Sequence, residues 1–444
     1  MAREVLGDGP APRSFHVETL GCPKNAVDSD KVVASLLADG LVRAPAPEAA
    51  DLVVVNTCAF VEAAREESVD TALALADARK PGAQLVVTGC MAERYGNELA
   101  AALPEADAVV GFAGEGTIAD VALVQPPTGV RDLLELPRPA PSAPWAYLKT
   151  AEGCDRACAF CAIPSFRGKQ RSRPPDAIEA EARALVDGGV TELVLVAQDL
   201  AWYGRDVGEP RALAPLLRRL DVLAAEGLRR VRLLYLYPSE VHDPLVATML
   251  ELPTVVPYFD LSLQHADRTL LARMRRWGSG ERFLSILERI RAEEPDAAFR
   301  SSFIVGFPGE NEDHHEALLS FLAAADLDWA GFFPFSREEG TAAAAMDGEV
   351  PTGLMEERLR ECSDVQEPIT LARRDALVRA RAELEVLVDG TAGDGDGVTG
   401  RTHREAPEID GVVRLPATSV EPGTIVRARA AVVDGLDVVA VSAS

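Results

Sequence analysis

Three cysteines lie within one eight-residue loop of this 444-residue chain. Cys154, Cys158 and Cys161 have the spacing CxxxCxxC and follow a strand-like segment. A ferredoxin normally ligates its cluster with four cysteines, so three ligands leave one iron of a four-iron cluster open. An open iron can chelate the amino and carboxylate groups of S-adenosylmethionine, whose one-electron cleavage yields a 5′-deoxyadenosyl radical. Zinc is the alternative, but zinc sites usually combine paired CxxC units with a fourth ligand close by.

A second group of three cysteines lies in the N-terminal part of the chain. They are Cys22, Cys58 and Cys90, which directly follow the apolar segments 15–21, 51–57 and 84–89. Helical patterns separate these segments, which predicts a parallel sheet whose strand ends meet at one edge. Each cysteine alone is typical of a buried core residue, whereas the three together predict a second cluster. Cys362 lies on a long charged helix and is expected to be structural.

The rest of the pattern predicts an α/β protein of three domains. A parallel α/β sheet domain is expected over 1–138, before a proline-rich linker at 136–145. Six strand–helix repeats over 139–380 fall short of the eight of a closed barrel, which predicts a partial (β/α)6 barrel. Its chemistry should lie on loops at the C-terminal ends of the strands. Short strands with glycine-rich turns over 381–444 predict a small β-barrel.

The turn GFPGE (306–310) follows the fifth strand of the predicted partial barrel. Gly306 and Gly309 would let the backbone approach a ligand, and Glu310 could accept hydrogen bonds from it. The turn is therefore a candidate binding site for the adenosyl part of the cofactor. An ordinary strand-to-helix turn explains the same residues equally well.

Composition limits the location and partners of the protein. The formal net charge of −25 argues against broad binding to a phosphate backbone. The N terminus lacks a basic segment followed by an apolar run, and no apolar stretch reaches the roughly 18 residues of a membrane span. Seven cysteines without a secretion signal favour metal or catalytic thiols over disulfides. We therefore expect a cytoplasmic protein without membrane attachment or direct nucleic-acid binding.

These residues make the chain resemble the methylthiotransferases, a radical S-adenosylmethionine family, over nearly its whole length. The motifs are TLGCPKN (19–25), AEGCDRACAFCAIPSFRGKQRSRP (151–174), VAQDLAWYG (196–204), LQHAD (263–267) and GRTHREAPEIDG (400–411). The resemblance implies two [4Fe–4S] clusters and S-adenosylmethionine as cofactors, and a C-terminal β-barrel called TRAM. It assigns the N-terminal cluster to Cys22, Cys58 and Cys90.

Within the family, these motifs resemble the branch that modifies a ribosomal protein. This resemblance implies that a methylthio group replaces a β-hydrogen of an aspartate in small-subunit ribosomal protein S-twelve. Two molecules of S-adenosylmethionine and an electron donor such as flavodoxin or ferredoxin are implied. The tRNA-modifying branch typically carries GCQMN where this chain has GCPKN (21–25). The net charge of −6 over 383–444 also favours a basic protein over tRNA as the partner.

Cofactor contacts are expected beside the cysteine loop. Phe160, between the cysteines, should pack against the cofactor, and Gln198 and Asp199 should bind its methionine part. The expected function is thus that of a radical methylthiotransferase acting on a ribosomal protein. Two alternatives are a tRNA adenosine methylthiotransferase and a cluster-bearing electron or sulfur carrier without substrate chemistry of its own.

Overall fold

The computed structural model describes residues 13–123, 134, 136–393 and 395–442. The chain divides into two compact units, Met1–Pro139 and Ala140–Ser444. The first twelve residues, which bear on the expected absence of a secretion signal, lie outside the described residues. Among the helices described, none is both long and apolar enough to cross a membrane.

The first unit is a five-stranded α/β domain. Its strands are β1 (Ser14–Thr19), β2 (Val42–Arg43), β3 (Leu52–Thr57), β4 (Gln84–Gly89) and β5 (Ala108–Val109), and its helices are α1 (Pro23–Ala38), α2 (Glu62–Ala78), α3 (Cys90–Ala102) and α4 (Ile118–Leu123). The strands are parallel, in the order β2-β1-β3-β4-β5. Every residue of β3 is buried, because helices cover both faces of a parallel sheet. The predicted parallel sheet is confirmed.

The second unit begins with a series of strands and helices. Its strands are β6 (Trp145–Lys149), β7 (Ala151–Glu152), β8 (Arg171–Ser172), β9 (Glu192–Val196), β10 (Arg230–Leu233), β11 (Tyr258–Gln264), β12 (Ala298–Val305) and β13 (Trp329–Pro334), and its helices are α5 (Ile163–Phe166), α6 (Pro175–Asp187), α7 (Leu213–Asp221), α8 (Asp243–Glu251), α9 (Arg268–Arg273), α10 (Gly280–Glu293) and α11 (Glu312–Ala325). The longer helices pack through one face, on which apolar residues recur at helical intervals. In α7, the buried leucines recur at helical intervals, at Leu213, Leu216, Leu217 and Leu220.

Six of these strands form the expected partial barrel. Parallel sheets of order β10-β9-β6 and β11-β12-β13 are joined by a bridge between Leu236 and Leu261. The six strands thus form one parallel series that ends at β6 and β13. One continuous apolar core fills the interior, with Phe259, Phe299 and Phe303 fully buried in it.

A small closed barrel completes the chain. It follows α12 (Thr352–Arg379) and consists of β14 (Glu383–Thr391), β15 (Val398–Arg401), β16 (Val413–Leu415), β17 (Ile425–Asp434) and β18 (Asp437–Ser442). The strands close in the order β14-β15-β16-β18-β17 around an apolar core. The expected fold class, with a C-terminal β-barrel, is therefore confirmed.

Residues 401–410 join this small barrel to the N-terminal ends of the partial-barrel strands. Arg232 on β10 donates to the backbone carbonyls of His403 and Thr402 at 2.7 and 3.1 Å. Tyr258 Oη, at the start of β11, donates to Asp410 Oδ2 at 2.6 Å. The motif GRTHREAPEIDG thus closes the end of the partial barrel opposite to the strand ends where chemistry is expected.

A buried carboxylate lies at the centre of this junction. Glu192, the first residue of β9, is fully buried and accepts a hydrogen bond from Arg232 Nε at 2.7 Å. Its other oxygen lies 2.8 Å from Arg401 Nη1. Burial opposes ionisation, but the charges of Arg401, Arg232 and Arg230 lower the pKa of Glu192 to about 2.

Replacing this carboxylate should destabilise the second unit. We expect Glu192→Gln to lower its free energy of unfolding by about 3–5 kcal/mol, because the buried Arg232 loses its carboxylate partner and Arg401 keeps only Asp389. Urea unfolding followed by tryptophan fluorescence measures this change. All four tryptophans, Trp145, Trp202, Trp277 and Trp329, lie in the second unit.

The matched control is Glu251→Gln, which removes an exposed ion pair with Arg218 and should cost less than about 1 kcal/mol. The difference in free energy of unfolding between the parent protein and Glu192→Gln should also depend on pH. The folded pKa of Glu192 is lower than the ordinary value of 4.5, so its stabilisation is present above pH 4.5 and is lost as the pH falls toward 2. Equal losses in the two variants would contradict this account of the junction.

Candidate functional site

The first cysteine triad lies where three neighbouring parallel strands end. Gly21 and Gly89, which immediately precede Cys22 and Cys90, have φ angles of +92° and +90°. A Cβ atom on Gly21 would lie only 2.9 Å from the Sγ of Cys58. Glycine permits both the sharp turn and this close approach of backbone to thiol. The structure thus brings the three strand ends together at one edge of the sheet, as the sequence predicts.

Asn25 connects the three turns that carry these cysteines. Its Nδ2 donates to the carbonyl oxygens of Leu20 and Thr57 at 2.9 and 3.0 Å. Its Oδ1 accepts a hydrogen bond from Cys90 Sγ at 3.5 Å. The Nδ2 group of Asn56 in turn donates to the Asn25 carbonyl at 2.9 Å. Sequence reasoning missed this role of Asn25, for which proximity to Cys22 is the only local signal.

Two of these thiols lie at helix N-termini. Cys22 is the N-cap residue of α1, and Cys90 is the first residue of α3. The positive end of a helix dipole favours a thiolate, which is the form that binds iron. Cys58 is held differently, because its backbone N–H donates to Ser68 Oγ at 3.1 Å. The geometry therefore suits three thiolate ligands on separate loops.

The second triad lies on a loop anchored at the C-terminal ends of the partial-barrel strands. Gly153, with φ +76°, precedes Cys154, and a Cβ atom there would clash with the Lys169 carbonyl oxygen. The Cys154 N–H donates to the carbonyl oxygen of Gly168 at 3.1 Å. Between the other two cysteines, the Ala159 N–H donates to the Met274 carbonyl at 2.9 Å. None of the three thiols forms a disulfide.

Glu152 organises the start of this loop. Its carboxylate accepts hydrogen bonds at 2.7 to 3.1 Å from the side chains of Lys149, Arg167 and Gln198 and from the Gly153 N–H. Burial opposes ionisation of Glu152, but Arg167 and Lys149 hold its pKa well below the usual range. An ionised Glu152 therefore fixes both the turn before Cys154 and the amide of Gln198.

Two thiols of this loop, those of Cys154 and Cys161, are protonated at neutral pH when no cation is near. Burial raises the pKa of Cys154 to about 11 and that of Cys161 to about 12. Iron binding would therefore release protons from these thiols, as it does for other buried cysteine ligands. The donor set fits a cluster, because cysteine thiolates are its usual ligands.

Several buried polar atoms beside the loop have no hydrogen-bond partner in the described structure. They are Thr150 Oγ1, both amide atoms of Gln170, Gln198 Oε1 and Asp199 Oδ1. Each unsatisfied buried group costs about 1–3 kcal/mol, so such a concentration marks a place for a polar ligand. The amino, carboxylate and hydroxyl groups of S-adenosylmethionine fit this need. Gln198 and Asp199 were expected from the sequence, whereas Thr150 and Gln170 were not.

The GFPGE turn is held against α12. Glu310 Oε2 accepts the Gly306 N–H at 2.7 Å, and its Oε1 accepts Arg358 Nη1 at 3.1 Å. A Cβ atom on Gly306 would clash with the Met355 side chain, and Gly309 has φ +86°. The Glu310 carboxylate is thus engaged within the protein. The contribution of this turn to cofactor binding stays a prediction.

Two further side chains of the sequence motifs are Phe160 and His265. Phe160 is half-buried and packs against the core of the partial barrel. His265, at the end of β11, is fully buried, and its Nδ1 accepts the Asp267 N–H at 3.0 Å. Burial lowers the pKa of His265 to about 3, so the ring is neutral at physiological pH.

Across the described residues, no three His, Cys, Asp or Glu side chains are grouped as a site for one metal ion. A single ion needs its ligands to converge on one point, whereas a four-iron cluster takes each cysteine on a different iron.

Three segments of the chain match known families. Residues 14–111 match an uncharacterized family, UPF0004, residues 148–322 match the radical SAM superfamily, and residues 382–442 match the TRAM domain. Among solved structures, the chain is similar to the radical S-adenosylmethionine methyltransferase TsrM from Kitasatospora setae. The TM-score is 0.54 at 14% identity, over 75% of this chain and 77% of that one, which shows a shared fold.

Two curated relatives are similar over almost the entire chain. The ribosomal protein uS12 methylthiotransferase RimO of Salinispora tropica is 41% identical over 98% of this chain and 97% of its own length. The protein of the same name from Saccharopolyspora erythraea is 42% identical over 96% of this chain and 94% of its own. With this identity over nearly its whole length, a radical SAM segment and a TRAM barrel, the chain belongs to the RimO family of radical S-adenosylmethionine methylthiotransferases.

Proposed function

We propose that this enzyme adds a methylthio group to the β-carbon of an aspartate in small-subunit ribosomal protein S-twelve, uS12. The observation that carries this proposal is the similarity to relatives named as uS12 methylthiotransferases over both full lengths. The motif GCPKN at the first cysteine supports the same branch of the family.

The surface of the TRAM barrel supports a protein substrate over tRNA. Residues 383–444 contain eleven acidic residues and five arginines. Arg401 and Arg404 are buried, and the other three arginines lie in ion pairs with acidic residues of the same barrel. Within the described part of the barrel, every exposed arginine is therefore neutralised, whereas binding to a phosphate backbone relies on excess positive charge.

We assign the two cofactor sites to the two cysteine triads. Cys22, Cys58 and Cys90 would hold one [4Fe–4S] cluster, and Cys154, Cys158 and Cys161 would hold the other, which binds S-adenosylmethionine. When bound, these groups supply the methylthio group and the 5′-deoxyadenosyl radical that removes a hydrogen from a carbon too weakly acidic for a side-chain base. Two molecules of S-adenosylmethionine are consumed, one for the methyl group and one for the radical.

The protein side chains position these groups and exclude water. Glu152 fixes the turn before Cys154 and orients Gln198, whose Oε1 is available to an ammonium or hydroxyl group. Phe160 provides an apolar wall beside the cysteines. Gly306, Gly309 and Glu310 shape the turn proposed to face the adenosyl part.

The proposed division of labour follows the predicted domains. Residues 1–138 hold the sulfur-donating cluster, 139–380 generate the radical, and 381–444 dock the ribosomal protein. We place the enzyme in the cytoplasm, with an electron donor such as flavodoxin or ferredoxin as a second partner.

The substrate assignment predicts the product. Incubation of the reconstituted enzyme, S-adenosylmethionine, a sulfide source and a reductant with purified uS12 should give a methylthio adduct on one aspartate, detectable by peptide mass spectrometry. Bulk tRNA treated in parallel should gain none, and a Cys154→Ala variant should modify neither. A methylthio adduct on tRNA adenosine without one on uS12 would contradict the proposal.

The ligand assignment predicts separate losses of iron. Anaerobically reconstituted protein with Cys22, Cys58 and Cys90 changed to alanine should lose about half of its iron and sulfide, since one of two clusters is lost. The same result is expected when Cys154, Cys158 and Cys161 are changed. Cys362→Ala is the matched control and should retain all the iron, because Cys362 is buried on α12. Full iron content in either triple variant would refute that ligand set.

The unsatisfied amide oxygen of Gln198 predicts a role in cofactor affinity. Gln198→Ala should weaken binding of S-adenosylmethionine about tenfold, equivalent to the loss of about 1.4 kcal/mol. Calorimetry on the cluster-loaded enzyme measures this change. Gln366→Ala, on α12, is a control of the same type, because both its amide nitrogen bonds are internal to the fold. Unchanged affinity in Gln198→Ala would exclude this contact.

A further inference from the structure

Arg156, within the cysteine loop, and Arg276, beside it, differ in how their charges are paired. Arg156 donates to Asp199 Oδ2 at 2.7 Å and to Glu240 Oε1 at 3.2 Å, so two carboxylates offset its charge. Arg276 has no carboxylate within ion-pair distance in the part of the chain that the structure describes. Its positive charge therefore acts on whatever lies close to the guanidinium.

That guanidinium is directed at a cysteine sulfur. Arg276 Nη1 donates to the Sγ of Cys158 at 3.5 Å, while its other terminal nitrogen donates to the Ser262 carbonyl oxygen. Its Nε is buried and makes no hydrogen bond. The contact with the sulfur is thus held in place by a backbone acceptor on β11.

The aromatic ring of Tyr237 also contacts the Arg276 guanidinium. Arg276 and Arg156 lie over the Tyr237 ring at 4.0 and 3.8 Å from its centroid. Arg156 and Arg205 likewise lie over the Trp202 ring, at 3.9 and 4.1 Å. These cation–π contacts form a continuous series from Arg205, which is partly exposed, to Arg276 at the sulfur. Within this series, the contact with Tyr237 limits the movement of Arg276 away from Cys158.

We propose that Arg276 sets the reduction potential of the cluster held by Cys154, Cys158 and Cys161, by donating a charged hydrogen bond to the Cys158 thiolate. This inference rests on the proposed ligand set. Reduction transfers one electron from an external donor to the cluster, and no covalent bond is made or broken. The added negative charge is stabilised by a cationic donor on a ligand sulfur, which raises the potential and eases electron entry.

The test is a redox titration of one cluster. Full-length protein with Cys22, Cys58 and Cys90 changed to alanine leaves only the radical-generating cluster, whose reduced form is followed by electron paramagnetic resonance without S-adenosylmethionine. Arg276→Gln should lower the ratio of reduced to oxidised cluster about tenfold at a fixed potential, equivalent to about 59 mV for one electron. Arg276→Lys, which keeps the charge, should show a smaller decrease.

Arg205→Gln is the matched control, because Arg205 belongs to the same cation–π series without touching a cysteine. The midpoint potential of the cluster in this variant should equal that in the parent. Tyr237→Leu, which removes the ring that supports Arg276, should lower the potential by less than Arg276→Gln and provides a second test if that variant loses its cluster. An unchanged midpoint potential in the cluster-loaded Arg276→Gln or Tyr237→Leu protein overturns the proposed role of Arg276. It leaves the ligand set intact. Absence of iron in the parent triple variant overturns the ligand set, and the inference with it.

Discussion

Sharp glycine turns directly after β-strands are the constraint on which both cysteine sites depend. A cysteine can lie at the end of a strand only if the backbone turns there. The turns are made by three glycines with positive φ angles, Gly21, Gly89 and Gly153. Each is followed by a cysteine, so the turn places a thiol at the strand end. Both units of this chain use the same solution, although the first triad comes from three separate loops and the second from a single loop.

The two ends of the partial barrel have different roles. Its C-terminal strand ends carry the cysteine loop and the unsatisfied atoms of Gln198 and Asp199. Its N-terminal strand ends are closed by residues 401–410 through Glu192 and the arginines around it. The TRAM barrel is consequently attached at the end of the strands opposite to the cofactor loop.

The long elements follow from hydrophobic periodicity, and the predicted segments 15–21, 51–57 and 84–89 agree to within two residues with β1, β3 and β4. Short elements such as β2, the β7–β8 pair and α9 were not predicted, because two to six residues contain too little periodic signal. The role of GRTHREAPEIDG was not predicted either. Its buried arginines and acids look like a solvated charged loop in sequence, since the partners that neutralise them lie on distant strands.

The class of chemistry follows from local residue patterns, because the CxxxCxxC spacing and three strand-terminal cysteines limit which cofactor can bind. The period of the apolar residues likewise determines the α/β architecture and the C-terminal barrel. The neighbours that act on those cysteines, in contrast, became visible only in the folded chain. Asn25 joins loops more than thirty residues apart, and Arg276 reaches Cys158 across 118 residues. Charge compensation and hydrogen bonding depend on distances in space, and no local pattern in the sequence encodes them.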